Sequence, residues 1–277
     1  MKVGLILPNI LSPVNDAETL VTAAKMAEDA GFDSIWAADH VLMPAQHRQY
    51  GNGLEILMTL AYLAAQTRRI ELGTAILLLP MRNPLLVARQ FATLDVLSGG
   101  RTIFGVGVGW NADEFGFMNA DFSRRGALVD EYIDIVYKLW TDDRPAHEGS
   151  YRFSDVIAEP RPTRLPLLYI GGSSDAAIRR AATRGDGWLP NGPKPDLDIH
   201  VARLRELADG RDVTIGMTMR LDMRNGAQDA LDTIKAQIAM GLQHVAIRFI
   251  HETRDELYAQ IERFTLDVLP VLQAHQG

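Results

Sequence analysis

Residues 1–38 read MKVGLILPNI LSPVNDAETL VTAAKMAEDA GFDSIWAA. Val3–Leu7 is an apolar run with the length of a strand. Ala17–Ala30 repeats Leu20, Val21, Ala24, Ala27 and Ala30 at helical spacing. Asn15 stands in the capping place with Glu18 three residues on, and Gly31 suits the helix stop. Ser34–Ala38 is a second strand-like run. A strand, a helix and a strand in so short a span form a parallel crossover unit.

The unit recurs outward from there. Further strands are expected at Ile70–Leu79, Thr102–Val108, Leu167–Ile170, Trp188–Leu189, Val213–Met219 and Val245–Phe249. Helical patterns cover 54–66, Pro84 to the Gly99–Gly100 stop, 128–139, 175–183, 227–240 and 253–270. Thr253 and Glu256 have capping-box spacing before the last of these. Near-continuous apolar strands mean a parallel sheet covered on both faces. A closed (β/α)8 barrel and an open doubly wound sheet both satisfy that. Eight units in about 250 residues is the arithmetic of the barrel, so the chain reads as one domain over 1–277. Segment 141–166, with Pro145, Pro160, Pro162 and Pro166, breaks the rhythm between the fourth helix and the fifth strand. It reads either as a hairpin or lid, or as a connection that plugs one barrel end.

The chain has 277 residues, 47% hydrophobic and 23% charged, with a net charge of −7. No basic block suggests nucleic acid or an anionic membrane. The apolar runs are too short to span a bilayer, and a cytoplasmic protein is the expectation. There is no cysteine, which excludes disulfides, thiolate nucleophiles and Cys-ligated metals. The seven histidines, His275 among them, form no metal-ligand pair, so no metal site is expected.

Barrel active sites gather at the C-terminal ends of strands. His40 ends the second strand beside Asp39, and is either a neutral-pH acid/base or a loop-capping histidine. Gly171-Gly172-Ser173-Ser174 precedes a helix, as a phosphate site requires and as an ordinary tight turn also requires. Gly105, Gly107 and Gly109 alternate, and a bare face leaves room for a flat ligand or for bulky neighbours. Trp110 stands where a third dinucleotide-fingerprint glycine would be, so a Rossmann motif fails. Arg220 and Arg248, near the ends of strands seven and eight, suit either an acidic ligand or surface salt bridges. Trp36, Phe104, Met217 and Met219 either line the site or, as the ordinary reading, form barrel core.

Several blocks together resemble the bacterial luciferase-like monooxygenase family. They are Glu28–Trp36 followed by Asp39-His40, Leu72–Pro80 with Asn83-Pro84, Leu94–Arg101 leading into Gly105–Trp110, Gly171–Ser174, and Arg184–Trp188. The resemblance spans nearly the whole chain and is most similar to the F420-dependent oxidoreductase branch. It implies a TIM barrel binding the deazaflavin coenzyme F420, with FMN as the alternative cofactor. It also implies a non-proline cis peptide at Ala75–Ile76 behind the ring. His40 falls on the family's active-site histidine and Asp39 on an adjoining acid that contacts the deazaflavin. Gly107, Val108 and Gly109 fall on the cofactor-lining segment, and Gly171, Gly172, Ser173 and Ser174 on the phosphate turn.

The implied reaction is hydride transfer between F420 and a small organic substrate, with His40 moving the balancing proton and Asp39 setting its state. The runner-up is an FMN-dependent monooxygenase fed by a partner reductase. A homodimer is expected by the same resemblance. Departures from the family pattern bear on the cofactor and on the substrate. Val108 replaces a luciferase arginine that helps bind FMN phosphate. Sugar-phosphate dehydrogenases of the family carry an acid where Trp110 stands and a tryptophan where Pro44 stands. Glu114 follows soon after, either reaching the site or pairing with Arg124 or Arg125.

Overall fold

The computed structural model describes residues 1–274, so His275 lies outside the described residues. Its strands are Lys2–Ile6 (β1), Ser34–Ala37 (β2), Glu71–Thr74 (β3), Leu77–Leu78 (β4), Thr102–Gly107 (β5), His147–Glu148 (β6), Arg152–Phe153 (β7), Leu167–Gly171 (β8), Gly187–Leu189 (β9), Thr214–Leu221 (β10) and His244–Phe249 (β11). Its helices are Ala17–Ala30 (α1), Ile56–Ala64 (α2), Pro84–Ser98 (α3), Ala112–Phe117 (α4), Arg125–Thr141 (α5), Asp175–Arg184 (α6), Leu197–Ala208 (α7), Ala227–Ala239 (α8), Arg254–Asp267 (α9) and Leu269–Gln273 (α10).

All barrel pairings are parallel. They run β3, β2, β1, β11, β10, β9, β8, β5, and β5 pairs back to β3. The ring closes, which decides for the barrel over the open sheet. β3 and β4 are two halves of one stave. Between the paired positions Leu72–Thr102 and Leu77–Val106 this stave holds one residue more than its neighbour. The extra length is a bulge at Ala75–Ile76, whose peptide bond is cis. The single strand expected over 70–79 is therefore interrupted. α7, after the sixth stave, and the short α4 were not anticipated.

Local signals act where polar side chains meet free helix ends. Asn83 accepts from the N–H groups of Leu85 and Leu86 before Pro84. Gly31 and Gly99 stop their helices at φ 84° and 74°. The first helix is capped by Asp16, not Asn15: its carboxylate accepts from Thr19 N–H and Oγ1–H. Thr253 caps α9 as expected, but Glu256 reaches back to the N–H of Glu252 rather than of Thr253.

Two large aromatics fill the barrel axis. Trp36 and Tyr169 are buried with ring centroids 5.6 Å apart. The staves around them carry glycines because a side chain would collide. A Cβ on Gly73 would lie 2.3 Å from the Trp36 ring, and one on Gly187 2.5 Å from Tyr169. Beneath them runs a polar chain. Trp36 Nε1 donates to Ser34 Oγ at 2.7 Å, Ser34 Oγ lies 3.0 Å from His244 Nε2, and His244 Nδ1 lies 3.4 Å from the Tyr169 hydroxyl. A neutral imidazole satisfies every link: Ser34 donates to Nε2 and Nδ1–H donates to Tyr169. Burial, with Lys2 adding to it, lowers His244 to about 3.

Segment 141–166 forms the small hairpin β6–β7, held by Glu131 of α5 through His147 and Ser150. Its later residues bond to Asp95 of α3 through the Thr163 and Arg164 N–H groups, and Arg164 pairs with Glu71 at the start of β3. These contacts lie on the outer helices and at the strand-start end of the barrel, opposite the active-site end. A lid is not what the segment forms. Among the described residues no helix is long and apolar enough to cross a membrane, and no acid–histidine cluster suits a metal.

Candidate active site

The mouth of the barrel has a half built from backbone and a half built from side chains. The backbone half comprises the staves β3/β4, β5 and β8. Each glycine there has its own steric reason. A Cβ on Gly105 would sit 1.8 Å from the Thr74 carbonyl oxygen, and one on Gly107 1.8 Å from Ile76 Cδ1. A Cβ on Gly171 would sit 2.5 Å from Ile76 Cδ1. These residues make room for the bulge, so the bare face expected for a flat ligand is covered by Ile76. Gly109 has left the strand. At φ 77° it turns the chain toward α4, and a Cβ would press within 2.8 Å of Phe115. Val108 is half-buried and packs on the core.

Thr74 repairs the broken ladder. Its hydroxyl donates to Gly105 O at 2.6 Å and accepts from Gly105 N–H at 2.9 Å. Ala75 and Ile76 are half-buried and present an apolar platform. Beside it, Gly172 is exposed at φ 106°, and its carbonyl accepts from Trp188 Nε1 at 2.8 Å. Ser174 caps α6 through Ala177 N–H at 3.3 Å, and Ser173 is half-buried at the same turn. Backbone N–H groups at this helix start suit a phosphate. An apolar platform flanked by such a turn fits a flat ring carrying a phosphate tail.

In the side-chain half, His40 and Asp39 diverge. Asp39 is buried, accepts from Leu78 N–H at 2.9 Å, and grips Arg82 at 2.7 and 3.2 Å. Burial raises the Asp39 carboxyl above the ordinary range, and Arg82 works against it. The aspartate thus pins the chain just after the bulge, and the direct Asp39–His40 contact that adjacency suggested is not made. Its oxygens turn to Leu78 and Arg82 instead.

The acid that does meet His40 is Glu114. His40 Nδ1 lies 2.8 Å from Glu114 Oε2, while Oε1 accepts from Val41 N–H at 2.6 Å. Glu114 is buried, and Asn111 caps its helix by accepting from Glu114 N–H at 2.9 Å. The alternative pairing with Arg124 or Arg125 is not made. With Nδ1 held, Nε2 is the nitrogen left for the mouth. Sequence reasoning noticed Glu114 without reaching this result. The available signal was Asn111 three residues before it, which starts a helix that folds back at Gly109.

Tyr50 and Trp110 close around the imidazole, with ring centroids 4.6 and 5.9 Å from it. His47 stands edge-on to Trp110 at 5.1 Å. Trp110 is half exposed, whereas Trp36 lies too deep to meet a ligand at the mouth.

Known proteins resemble this chain along most of its length. The family model described as luciferase-like monooxygenase matches residues 1–266. A Mycobacterium tuberculosis protein of uncharacterised function is 34% identical over 212 residues, 71% of this chain and 73% of its own. The F420-dependent glucose-6-phosphate dehydrogenase of Kineococcus radiotolerans is 33% identical over 174 residues, 61% of this chain and 51% of that protein. Among solved structures, the monooxygenase RslO1 from Streptomyces bottropensis superposes with a TM-score of 0.85 at 22% identity, covering 98% of this chain and 100% of its own.

Proposed function

Because the chain belongs to the luciferase-like monooxygenase family, we propose that it is an oxidoreductase that moves a hydride between coenzyme F420 and a small organic substrate. The observation that carries this reading is the buried Glu114–His40 pair at the mouth, next to the apolar Ala75–Ile76 platform. The F420-dependent relative supports the cofactor choice.

Ala75 and Ile76 would support the ring, and the Gly171–Ser174 turn would take the phosphate. When bound, the deazaflavin supplies the hydride acceptor or donor carbon. His40 Nε2 takes from the substrate, or returns to it, the proton that accompanies the hydride. Glu114 fixes the ring orientation and favours the imidazolium that forms when the proton arrives. Asp39 acts through Leu78 and Arg82 as a positioning residue. Tyr50 and Trp110 shield the proton-transfer side from bulk water.

Parallel titrations with F420 and FMN test the reading, with Trp110 and Trp188 as fluorescent reporters. Tight F420 and weak FMN binding is expected. Preference for FMN would move the reaction to a monooxygenase supplied by a reductase, and binding of neither would remove the cofactor assignment.

A homodimer is proposed through α2 and α3. Leu54, Met58 and Tyr62 on one side and Leu86 and Leu97 on the other are 41–72% exposed, an apolar surface suited to a second copy. Sedimentation should give a dimer that Met58→Asp weakens. A wild-type monomer at micromolar concentration would refute it.

A further inference from the structure

β10 and β11 pair in a register that sets Arg220 opposite Arg248. On both strands the alternate residues are in the helix-facing core: Met217, Met219 and Leu221 on one, Val245, Ile247 and Phe249 on the other. The arginines therefore share the inward face with Ala246, which packs against Trp36 and Ile6. Both stand at the C-terminal ends of their strands, in the mouth.

Their environment differs from that of three other arginines that are wholly or partly buried. Arg82 meets Asp39 and Glu55, Arg180 meets Asp130, and Arg101 is spent on the main-chain carbonyls of Ala64 and Ile70 and on Thr67. Arg248 is half-buried and, among the described residues, has one hydrogen bond, from Nη1 to Ile10 O at 2.6 Å. Arg220 stands directly opposite it on β10, and among the described residues Arg248 forms no ion pair with a carboxylate. Burial and the Arg220 charge lower it to about 10. Arg220 is exposed and forms no ion pair among the described residues. Like charges directly opposite on neighbouring strands destabilise a sheet. In a chain of net charge −7, these two arginines stand side by side at the mouth with no ion-paired carboxylate among the described residues, an arrangement that suits an oxyanion.

Position supplies the rest. Tyr50 lies near Arg248 and packs edge-on against His40 at 4.6 Å. One side chain thus separates the cations from the proton-handling histidine. The bulge at Ala75–Ile76 is on the far side of the ring of staves.

We propose that Arg220 and Arg248 hold the anionic end of the substrate, a carboxylate or a phosphate ester, and so place its reacting carbon between His40 and the Ala75–Ile76 platform. The reacting-carbon part rests on the hydride-transfer reading above, whereas the oxyanion site stands without it. A polyglutamyl tail on the cofactor shares this chemistry, and the experiment separates the two.

Inorganic phosphate and succinate are titrated calorimetrically into the protein, once alone and once saturated with F420, which occupies the phosphate turn. With F420 bound, at least one of the anions is expected still to bind. Arg220→Gln and Arg248→Gln should each weaken it tenfold or more, while F420 affinity changes less than twofold. Arg248→Lys keeps the charge and should retain part of the binding, which controls for folding. Anion binding indifferent to both arginines would overturn the proposal. So would variants that weaken F420 but not its form without the glutamyl tail. If the protein binds neither F420 nor FMN, the arginine-dependent part of anion binding to the free protein still decides the oxyanion site.

Discussion

The two halves of the mouth are built by opposite means. Around β3/β4, β5 and β8, surface is shaped by leaving side chains out, and the Ala75–Ile76 bulge fills the room they leave. Around β1, β2, β10 and β11, long side chains are brought in: His40, Arg220, Arg248, and Glu114 from outside the barrel. The backbone half depends on sterics and tolerates almost no added atom. The side-chain half depends on charge and hydrogen bonds, and tolerates conservative exchange at a cost in rate rather than in folding.

The sharpest separation comes from His40→Asn. Turnover should fall by about 10²–10⁴-fold, the usual contribution of a general acid–base, with F420 affinity and melting temperature nearly unchanged. Equal loss of F420 affinity would place His40 in the cofactor half. On the other side, Gly105→Ala drives a Cβ into the Thr74 carbonyl. Overpacking against backbone should cost about 3 kcal/mol, read as a melting temperature lower by roughly 10 °C. An alanine variant that melts like the wild type would show that the bulge is soft and the contrast between the halves false.

Glu114→Gln keeps a hydrogen-bond acceptor for His40 but removes the charge. It should lower kcat by roughly ten- to hundredfold and displace the acid limb of the pH–rate profile, leaving KM for the cofactor alone. A variant with an unchanged profile would reduce Glu114 to a structural partner of Val41 N–H.

Much of this contrast was legible in the sequence, but unevenly. The barrel followed from counting staves, and Gly31, Asn83 and Thr253 marked helix ends through local chemistry. His40 was visible because its position at a strand end and its residue type coincide. The glycines of β5 were visible too, yet their purpose was not. Whether a glycine makes room for a ligand or for Ile76 depends on a neighbour thirty residues away. Glu114 suffers the same limitation. Its contact with His40 spans 74 residues and depends on how Gly109 turns, while adjacency in sequence pointed to Asp39. Consecutive residues at a strand end face opposite ways, so the nearest acid was the wrong one.

The smallest effect concerns the floor on which both halves rest. His244 titrates at about 3 when folded and near 6.5 when unfolded. Between those values the unfolded chain takes up a proton that the folded protein refuses. Its stabilising share is complete above about pH 6.5 and is lost as pH falls toward 3. Melting temperature should therefore decline from pH 7.5 to pH 5, and His244→Gln should flatten part of that decline. An identical slope in the variant would assign the loss to other groups.

Glu114 reaches His40 from a helix of six residues that belongs to no stave. The His40–Glu114 pair thus joins a fixed component, seated on the barrel, to a detachable one, carried on a connecting segment. Ancestry can rewrite the second without disturbing the first. Lengthening, shortening or replacing that segment would hand the histidine a different acid, or none, while the frame stays intact. A designer wishing to redirect this protein toward new reactions has the same freedom, and the segment between Gly109 and Met118 is where it begins.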